Sequence, residues 1–533
     1  MRDLEGLFVS FLQSCRSLRE LKKVHSLVIQ HCLSQSNFLV TKMVDMCDRW
    51  EDMYYANLLF KQVGQPNVYL FNAMIRAFTH NAFHFLTVVT YNQIMRFTDE
   101  GNNKRVLPNK FTFPFVLKSC VELDSCDLGK QFHAHLCKFG PISHTVTDNA
   151  LLCMYGKLDS ITDARRVFDE MPQKDFMTWN SLISAYAKIG LMKKAKATFN
   201  SMPCKTVVSW TAMISGYSSI GSFTEALHMF RCMQLAGVEP DGVTMLSVLP
   251  SCAKLGSLEV GKWIHMYCDR NGMLRNTSIC NALMEMYSKC GNVDQARQLF
   301  DKMNNRDVIS WSTMLVALAN HGNVVEADRL FEKMKQAKIE PNAITFLALL
   351  SACSHAGLWR KGLAYFESMK HEHHLEPSVE HYGALVDLLG RVGLLKQALD
   401  VIEMMPIKPD AEIWGTLLGS CRTHGDLEIA ATAMERLLEL EPDEAGNLVL
   451  LGNIYARLGK WKCVARLRTF IRSKTMKKIP GCSLIEIDNN VQEFASGDSS
   501  KLCSQELDQL LQQMKLHLVK SNNANETVMA ECC

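Results

Sequence analysis

The amino-acid sequence predicts an all-α fold, in which helix-turn-helix repeats stack into an α-solenoid. The main evidence is a glycine that recurs at steps of 31 to 36 residues. A small residue follows each of these glycines at a fixed offset, and a phenylalanine follows most of them at another. Periods of this size are typical of stacked helical repeats. The recurring glycines are Gly190, Gly221, Gly256, Gly291, Gly322, Gly357 and Gly393.

Residues 207–241 illustrate the first helix of one repeat. Its apolar residues, among them Trp210, Ile214 and Tyr217, fall on one face at helical spacing. Gly221 follows them, and glycine takes at least cost the left-handed conformation that ends a helix. The spacing therefore predicts that the first helix ends just before Gly221.

The second helix of the same repeat carries a small residue where two helices must approach closely. Ala226 occupies that position, and Phe230 and Met233 are expected to fill the groove against the next repeat. Gly237 and Pro240 then end the helix. Because one hairpin of this size cannot bury both of its faces, we expect the repeats to be stable only as a stack.

Composition narrows the possible functions. The chain has 533 residues and a net charge of only +3, so affinity for nucleic acid would depend on locally placed polar and basic side chains. No apolar run is long enough to cross a bilayer, and no membrane partner is expected. Several of the 20 cysteines, such as Cys153, Cys252 and Cys353, occupy apolar helix positions, which predicts buried free thiols rather than disulfides.

Three segments carry a resemblance to a known family: VVSWTAMISGY, NALMEMYSKCGNVDQARQLFDKM and ITFLALLSACSHAGLWRKGLAYFESM. They resemble pentatricopeptide repeats of the plant PLS subclass, in which long, short and standard repeats alternate. On this pattern, residues 2–410 divide into twelve repeats: 2–36 (long), 37–67 (short), 68–109 (standard, with an insertion), 110–144 (long), 145–175 (short), 176–206 (short), 207–241 (standard), 242–276 (long), 277–307 (short), 308–342 (standard), 343–378 (long) and 379–410 (short).

The remainder of the chain resembles the carboxyl-terminal region of editing factors in this family. Residues 411–478 resemble two degenerate repeats called E motifs, and residues 479–519 resemble the segment that follows them. Within that segment, alternating residues on either side of Asp488 to Asn490 predict a small β-hairpin. An apolar helix face from Leu507 to Leu518 comes next, and residues 520–533 are expected to be disordered.

The resemblance implies a function in RNA editing. Family members of the E subgroup bind single-stranded RNA of an organelle and select a cytidine for conversion to uridine. The implied partners are a DYW-type cytidine deaminase acting in trans and other proteins of the editing complex. The implied location is the mitochondrion, with the chloroplast as the alternative.

By the same resemblance, each repeat contacts one RNA base through its fifth and last residues. We call these two residues a reading pair. Thr with Asp favours guanine, Asn with Asp favours uracil, and Thr or Ser with Asn favours adenine. The assigned pairs are Thr41 with Asn67 (A), Asn72 with Asn109 (a pyrimidine), Asn149 with Asp175 (U), Asn180 with Thr206 (weakly a pyrimidine), Thr211 with Asp241 (G), Asn281 with Asp307 (U) and Ser312 with Asn342 (A).

Other repeats are not assigned a base. Pro114, Leu246 and Leu347 are the fifth residues of long repeats and cannot form a hydrogen bond with a base edge. Gly383 with Asp410 is ambiguous. If consecutive repeats from residue 37 onward meet consecutive bases, the expected element is A, Y, N, U, Y, G, N, U, A, N, N, a few nucleotides upstream of the edited cytidine.

Each reading pair also has an ordinary structural explanation. Asn, Asp, Thr and Ser are common at helix caps and turns, and Asp175, Asp241 and Asp307 each precede a predicted helix. Seven polar pairs in one register nevertheless favour base recognition over capping alone.

The sequence predicts neither a catalytic residue nor a metal or cofactor site. A zinc cytidine deaminase needs His-x-Glu and a later Pro-Cys-x-x-Cys. His374 and Glu376 have the first spacing but lie in a His-rich loop between predicted helices, and no Cys-x-x-Cys occurs in the chain. We therefore expect a protein that selects the site and leaves deamination to a partner.

Two other functions remain open at this point. A bound array could protect, process or help to splice an organelle transcript without directing editing. Alternatively, a helical-repeat scaffold could hold a peptide in its groove. Polar residues at the base-reading positions favour RNA over peptide.

Overall fold

The computed structural model describes residues 2–99, 104–138, 145–440, 445–457, 459–473, 482–487 and 490–495. In that part of the chain it contains 28 α-helices, one 3-10 turn and two pairs of short strands. The chain divides into two compact bodies, which we call the N-terminal body (Met1–Val248) and the C-terminal body (Leu249–Cys533). None of the described helices combines the length and the apolar character that crossing a membrane requires.

The helices of the N-terminal body are α1 (Arg2–Ser14), α2 (Leu18–Gln30), α3 (Asn37–Arg49), α4 (Met53–Gln62), α5 (Val68–His80), α6 (His84–Arg96), α7 (Phe113–Glu122), α8 (Cys126–Lys138), α9 (Thr145–Lys157), α10 (Ile161–Glu170), α11 (Phe176–Lys188), α12 (Met192–Ser201), α13 (Val207–Ser219) and α14 (Phe223–Leu235). Helix α15 (Gly242–Leu255) contains the division between the bodies. Strands β1 (Thr98–Asp99) and β2 (Lys104–Arg105) pair antiparallel within the repeat that carries the insertion.

The helices of the C-terminal body are α16 (Leu258–Arg270), α17 (Thr277–Lys289), α18 (Val293–Lys302), α19 (Val308–Asn320), α20 (Val324–Gln336), α21 (Ala343–Ala356), α22 (Trp359–His371), α23 (Val379–Val392), α24 (Leu395–Glu403), α25 (Ala411–His424), α26 (Leu427–Leu440), α27 (Ala445–Arg457) and α28 (Trp461–Ser473). A 3-10 turn, Met273–Arg275, precedes α17.

Successive helices pack in the way a solenoid requires. The two helices of a repeat contact each other, and the first helix also contacts the first helix of the next repeat. In the N-terminal body this succession runs through α9, α11 and α13, and in the C-terminal body it runs through α17, α19, α21, α23 and α25. The predicted all-α solenoid of helix-turn-helix repeats is therefore confirmed within each body.

Helices α13 and α14 confirm the design inferred for residues 207–241. Trp210 and Ile214 of α13 are buried, as are Ala226 and Phe230 of α14. Gly221, between the two helices, has a φ of +79°. All seven recurring glycines share this left-handed conformation, which an L side chain rarely adopts.

The small residue of each second helix is explained by the following repeat. A Cβ added at Gly261 would overlap the side chain of Met286, and one added at Gly362 would overlap Leu388. Met286 and Leu388 both belong to the first helix of the next repeat. The position must be small because that helix packs directly on it.

The prediction of buried thiols is correct for two of the three cysteines named above. Cys252 and Cys353 are buried, and burial raises the pKa of the Cys353 thiol to about 11. The prediction is wrong for Cys153, which is exposed. It lies on α9 between buried Leu152 and Met154, on the part of the helix that lines an open cavity. An apolar neighbourhood in the sequence did not reveal this orientation.

Near the carboxyl terminus, strands β3 (Cys482–Ile487) and β4 (Asn490–Ala495) pair antiparallel, with Ile487 opposite Asn490. They lie within the segment where the sequence predicts a hairpin. The apolar face predicted from Leu507 to Leu518 and the tail predicted at 520–533 lie outside the described residues.

Candidate nucleic-acid interface

Each reading pair lies at the junction between two repeats. Its fifth residue is in the first helix of its own repeat. Its last residue comes directly before the first helix of the next repeat in every pair except Asn72 with Asn109, where residues 110–112 lie between Asn109 and α7. Asp175 caps α11 by accepting a hydrogen bond from the backbone N–H of Thr178, at 2.8 Å. Asp307 caps α19 by accepting from Ser310 at the same distance. The same aspartate side chain therefore caps a helix and belongs to a reading pair.

In five of the seven assigned pairs, the fifth and last residues form a hydrogen bond with each other. In four of these five an asparagine Nδ2 donates to the last residue, with a donor–acceptor distance between 3.0 and 3.3 Å. In the fifth, the Ser312 hydroxyl donates to Asn342 Oδ1 at 3.1 Å. The five pairs are Asn72 with Asn109, Asn149 with Asp175, Asn180 with Thr206, Asn281 with Asp307 and Ser312 with Asn342. Fold geometry thus brings together residues that are 26 to 37 positions apart in the chain.

In the other two pairs a third residue lies between the partners. The Thr211 hydroxyl lies 2.7 Å from that of Thr244, which donates to Asp241 at 2.8 Å. In the pair Thr41 with Asn67, Asn37 is the link. The Thr41 hydroxyl donates to the Asn37 carbonyl at 2.6 Å, and Asn37 Oδ1 accepts from the Asn67 backbone at 2.9 Å.

The repeats without an assigned base differ in geometry. Asp410 is exposed and caps α25, accepting from the Ile413 backbone at 3.0 Å, but Gly383 offers it no side-chain partner. At the end of the long repeat 343–378, His381 of the following repeat bonds the Ser378 hydroxyl at 2.7 Å and the Ala343 carbonyl at 2.8 Å. Both ring nitrogens of the buried His381 are thus engaged, and Leu347, the fifth residue of the long repeat, is half-buried.

The electrostatic environment keeps the carboxylates of the reading pairs ionised. Partial burial raises the pKa of Asp175, but hydrogen bonds from Thr178 and Asn149 outweigh burial and hold the pKa below its ordinary value. In the same way, hydrogen bonds from Ser310 and Asn281 outweigh burial and lower the pKa of Asp307. Both carboxylates therefore act only as hydrogen-bond acceptors at neutral pH.

Sequence reasoning missed the third residue of the repeat that follows each pair. In six junctions it is a threonine or serine whose hydroxyl bonds the last residue of the pair. The first helix of the following repeat is thereby linked to the reading pair before it. Its sequence signal is a capping box, a polar cap residue followed three positions later by a hydroxyl residue. These residues are Thr112, Thr178, Ser209, Thr244, Ser310 and Thr345.

The sequence analysis also missed a row of exposed apolar side chains, which are the second residues of their repeats. Each has more than half of its surface exposed, although it stands at the start of a helix, or in the case of Phe111 just before one, and the next residue is buried. Exposed apolar and aromatic side chains beside polar pairs can hold the flat face of a base. The row consists of Phe38, Tyr69, Phe111, Val146, Met177, Val208, Val243, Ile309 and Ile344.

One cavity in the N-terminal body joins these features. It has a volume of about 830 Å³, and its lining includes Asp175, Asn180, Met177 and Val208. Met177 and Val208 are the second residues of adjacent repeats; Asn180 lies between them in the sequence, and Asp175 ends the repeat before. Lys188 also lines the cavity, and it donates to the Lys157 carbonyl at 2.6 Å and pairs with Asp159. The cavity therefore offers apolar walls, polar hydrogen-bonding groups and a nearby cation.

The His-rich loop is arranged differently from a metal site. His371 pairs with Glu367 at 3.0 Å, whereas His374 and Glu376 are exposed. Over the described ranges of the chain, no group of three or more His, Cys, Asp or Glu side chains is placed to hold a metal ion.

Comparison with protein families gives matches along most of this array. A family model described as "PPR repeat" matches residues 149–176, 177–207, 278–308, 344–374 and 380–408. A model described as "PPR repeat family" matches residues 205–254 and 306–355. A third, described as "E motif", matches residues 424–486.

Individual relatives extend the similarity to the whole chain. A pentatricopeptide repeat-containing protein of Arabidopsis thaliana is 57% identical over 528 residues, which are 98% of each chain. A chloroplastic pentatricopeptide repeat-containing protein of the same plant is 32% identical, covering 97% of this chain and 83% of the relative. Among solved structures, the pentatricopeptide repeat protein PPR10 from maize has the same fold, with a TM-score of 0.54 and 17% identity, covering 88% of this chain and 79% of its own.

Proposed function

The chain belongs to the pentatricopeptide repeat family, in its E subgroup, and from that premise we propose that it is a sequence-specific factor for single-stranded RNA. The observation that supports this most is the register of the reading pairs. Five pairs form hydrogen bonds across their repeat junctions, and in four of them the last residue immediately precedes the next helix. Hydrogen-bonding groups at that spacing suit recognition of one base per repeat.

The row of exposed apolar residues supports the same proposal. A base inserted between the second residues of two adjacent repeats would present its Watson–Crick edge to the reading pair between them. Stacking on an aromatic side chain, of which the row has three, contributes about 1 to 3 kcal/mol per base. Contact with the face of a base is tolerant of sequence, so selectivity would come from the pairs. The expected element is A, Y, N, U, Y, G, N, U, A, N, N.

We further propose that binding selects a cytidine for conversion to uridine in an organelle transcript. The match of residues 424–486 to the E motif supports a role beyond RNA binding. The chain would supply the site selection, and a DYW-type deaminase would act in trans with other editing proteins. The proposed location is the mitochondrion; the chloroplastic relative keeps the chloroplast as the alternative.

Binding measurements with the purified full-length protein test the first part. We expect the predicted element to bind more tightly than an RNA of equal composition and scrambled order. Asn149→Leu copies the side chain that a long repeat carries at Leu246, and it should remove the preference for U at the fourth base. Thr198→Ser, on a second helix away from the pairs, is the matched control. Equal affinity for both RNAs would reject sequence-specific recognition.

Analysis of RNA from a plant line without the protein tests the second part. We expect one or a few cytidines to lose editing, each downstream of a match to the element. A line in which editing is intact but a transcript end or an intron is affected would favour RNA protection or splicing instead. Binding of a peptide without binding of RNA would favour the scaffold.

A further inference from the structure

The third residue after each reading pair behaves in two distinct ways. Where it is threonine, its hydroxyl contacts the side chain of the fifth residue at 2.6 to 3.0 Å. Threonine and serine both bond the last residue, but the serine hydroxyls make that contact without one to the fifth residue: Ser209 donates to the Thr206 carbonyl and Ser310 to the Asp307 carboxylate, both at 2.8 Å. The methyl group of threonine restricts χ1, which explains why its hydroxyl stays aimed at the fifth residue.

Two repeats have the same reading pair, asparagine with aspartate, and differ in whether threonine or serine follows it. Asn149 with Asp175 is followed by Thr178, whereas Asn281 with Asp307 is followed by Ser310. Thr178 donates to Asn149 Oδ1 at 2.7 Å, and Asn149 Nδ2 donates to both carboxylate oxygens of Asp175 at 3.1 and 3.2 Å. The amide of Asn149 is therefore held at both ends.

The amide of Asn281 is held at one end only. Its Nδ2 donates to Asp307 at 3.3 Å. Its Oδ1 is one of the few buried side-chain oxygens without a hydrogen-bond partner among the described residues. A single long hydrogen bond opposes rotation of an amide far less than a set of three.

The orientation of this amide determines which base edge it can bind. Uracil presents a carbonyl acceptor where cytosine presents an amino donor. An amide fixed with its N–H toward the base suits uracil alone, whereas one that can turn over suits either pyrimidine. Fixing the orientation before binding also lowers the entropy lost on binding.

We propose that the third residue of the following repeat is a specificity-determining residue. Threonine there locks the asparagine of the reading pair and makes the slot select uracil over cytosine, whereas serine leaves the slot open to both pyrimidines. This inference rests on the proposed RNA binding and adds a position to the pair that selects the base.

Reciprocal substitutions in the full-length protein test it. The probes are RNAs that carry the predicted element with U or C at the fourth base, which faces Asn149, or at the eighth, which faces Asn281. In the unmodified protein we expect a higher ratio of U to C affinity at the fourth base than at the eighth. Thr178→Ser should lower the ratio at the fourth base by about threefold to tenfold, the effect of about one hydrogen bond, and leave the eighth unchanged.

Ser310→Thr should do the opposite, raising the ratio at the eighth base and leaving the fourth unchanged. Thr198→Ser again serves as control, since its hydroxyl donates to the Lys194 carbonyl on a second helix, and it should change neither ratio. A purely structural role would alter affinity for all RNAs equally and would not move these ratios.

The outcomes separate this inference from the proposed function. Selective binding of the element with unchanged ratios in both variants would overturn the inference alone. Equal changes at both bases would also overturn it, because the effect would not be local. Failure of the unmodified protein to prefer the element over scrambled RNA would overturn both.

Discussion

The hydroxyl groups of Thr211 and Thr244 lie 2.7 Å apart, although 33 residues separate them in the chain. Thr244 also donates to Asp241 at 2.8 Å, so the three side chains form one connected group. Asp241 ends its repeat and Thr244 is the third residue of the next repeat, as Asp175 and Thr178 are at their junction. The group differs only in the fifth residue, which is threonine rather than asparagine.

Thr211→Asn should therefore rebuild at this junction the arrangement seen around Asn149. We expect the preference at the sixth base to move from G toward U, because the amide would bond both Thr244 and Asp241. Total affinity should stay within about tenfold, since one base contact is exchanged in a modular array. Binding of RNAs with each of the four bases at that position measures the change, and a persistent preference for G would reject the proposed register.

Ala226→Phe tests the packing of the solenoid. Ala226 is completely buried on α14, so the added ring must push its neighbours apart, at a cost of about 1 to 3 kcal/mol in the free energy of unfolding. The loss of hydrogen-exchange protection should be confined to nearby repeats, because stability in a solenoid is mainly a nearest-neighbour property. Ala197→Phe, on the exposed side of α12, is the control. Equal loss of protection in every repeat would contradict this expectation.

These features differ in how far the sequence predicts them. Helix ends follow from local chemistry, since a glycine such as Gly221 has the same effect wherever the chain goes next. The partners of a reading pair could be matched through the resemblance to known repeats. The contact of Thr178 with Asn149 could not, because the sequence alone makes Thr178 an ordinary cap partner.

The exposed row was missed for a related reason. An apolar residue such as Met177 beside the buried Thr178 looks like part of a helical core until the rotation of the helix is known. Cys153, which is also exposed, was assigned to the interior by the same error. In both cases the missing information was the direction of a side chain relative to the neighbouring repeat.

Acid should weaken the contact between His265 of α16 and Tyr287 of α17. His265 Nδ1 lies 2.8 Å from the Tyr287 hydroxyl. Burial lowers the pKa of His265, the charge of Lys302 lowers it further, and Asp269 acts in the opposite direction. The folded protein therefore binds a proton at His265 less readily than the unfolded chain does.

The sign of the pH effect follows from that difference. The stabilisation is complete above the unfolded pKa of about 6.5, and it is lost as the pH falls through that value toward the folded pKa. We expect the thermal midpoint to drop between about pH 7.5 and about pH 5.5, and His265→Gln to make part of that drop disappear. His355→Gln, at an exposed position, is the control. An identical pH profile for His265→Gln and the unmodified protein would show that this histidine is not responsible.

The last prediction separates RNA binding from editing within one chain. Every assigned reading pair lies before residue 411, whereas Trp461 lies on α28 within the match to the E motif and has 66% of its surface exposed. Exposed tryptophans often dominate the binding energy of protein interfaces, so Trp461→Ala should reduce recruitment of the deaminase while RNA affinity is unchanged. Leu235→Ala, at an exposed apolar residue of α14, is the control.

A truncation after Leu440 should have the same effect in a stronger form. It keeps α25 and α26, whose residues Trp414, Leu417 and Ala433 cover α23, although it removes Leu448 and Leu451 of the same core. We expect the shortened protein to bind the predicted element normally and to fail to restore editing in a plant line without the protein. Restored editing by the shortened form would overturn recruitment through this region. Deamination by the isolated full-length protein supplied with zinc would overturn the proposal that the deaminase acts in trans.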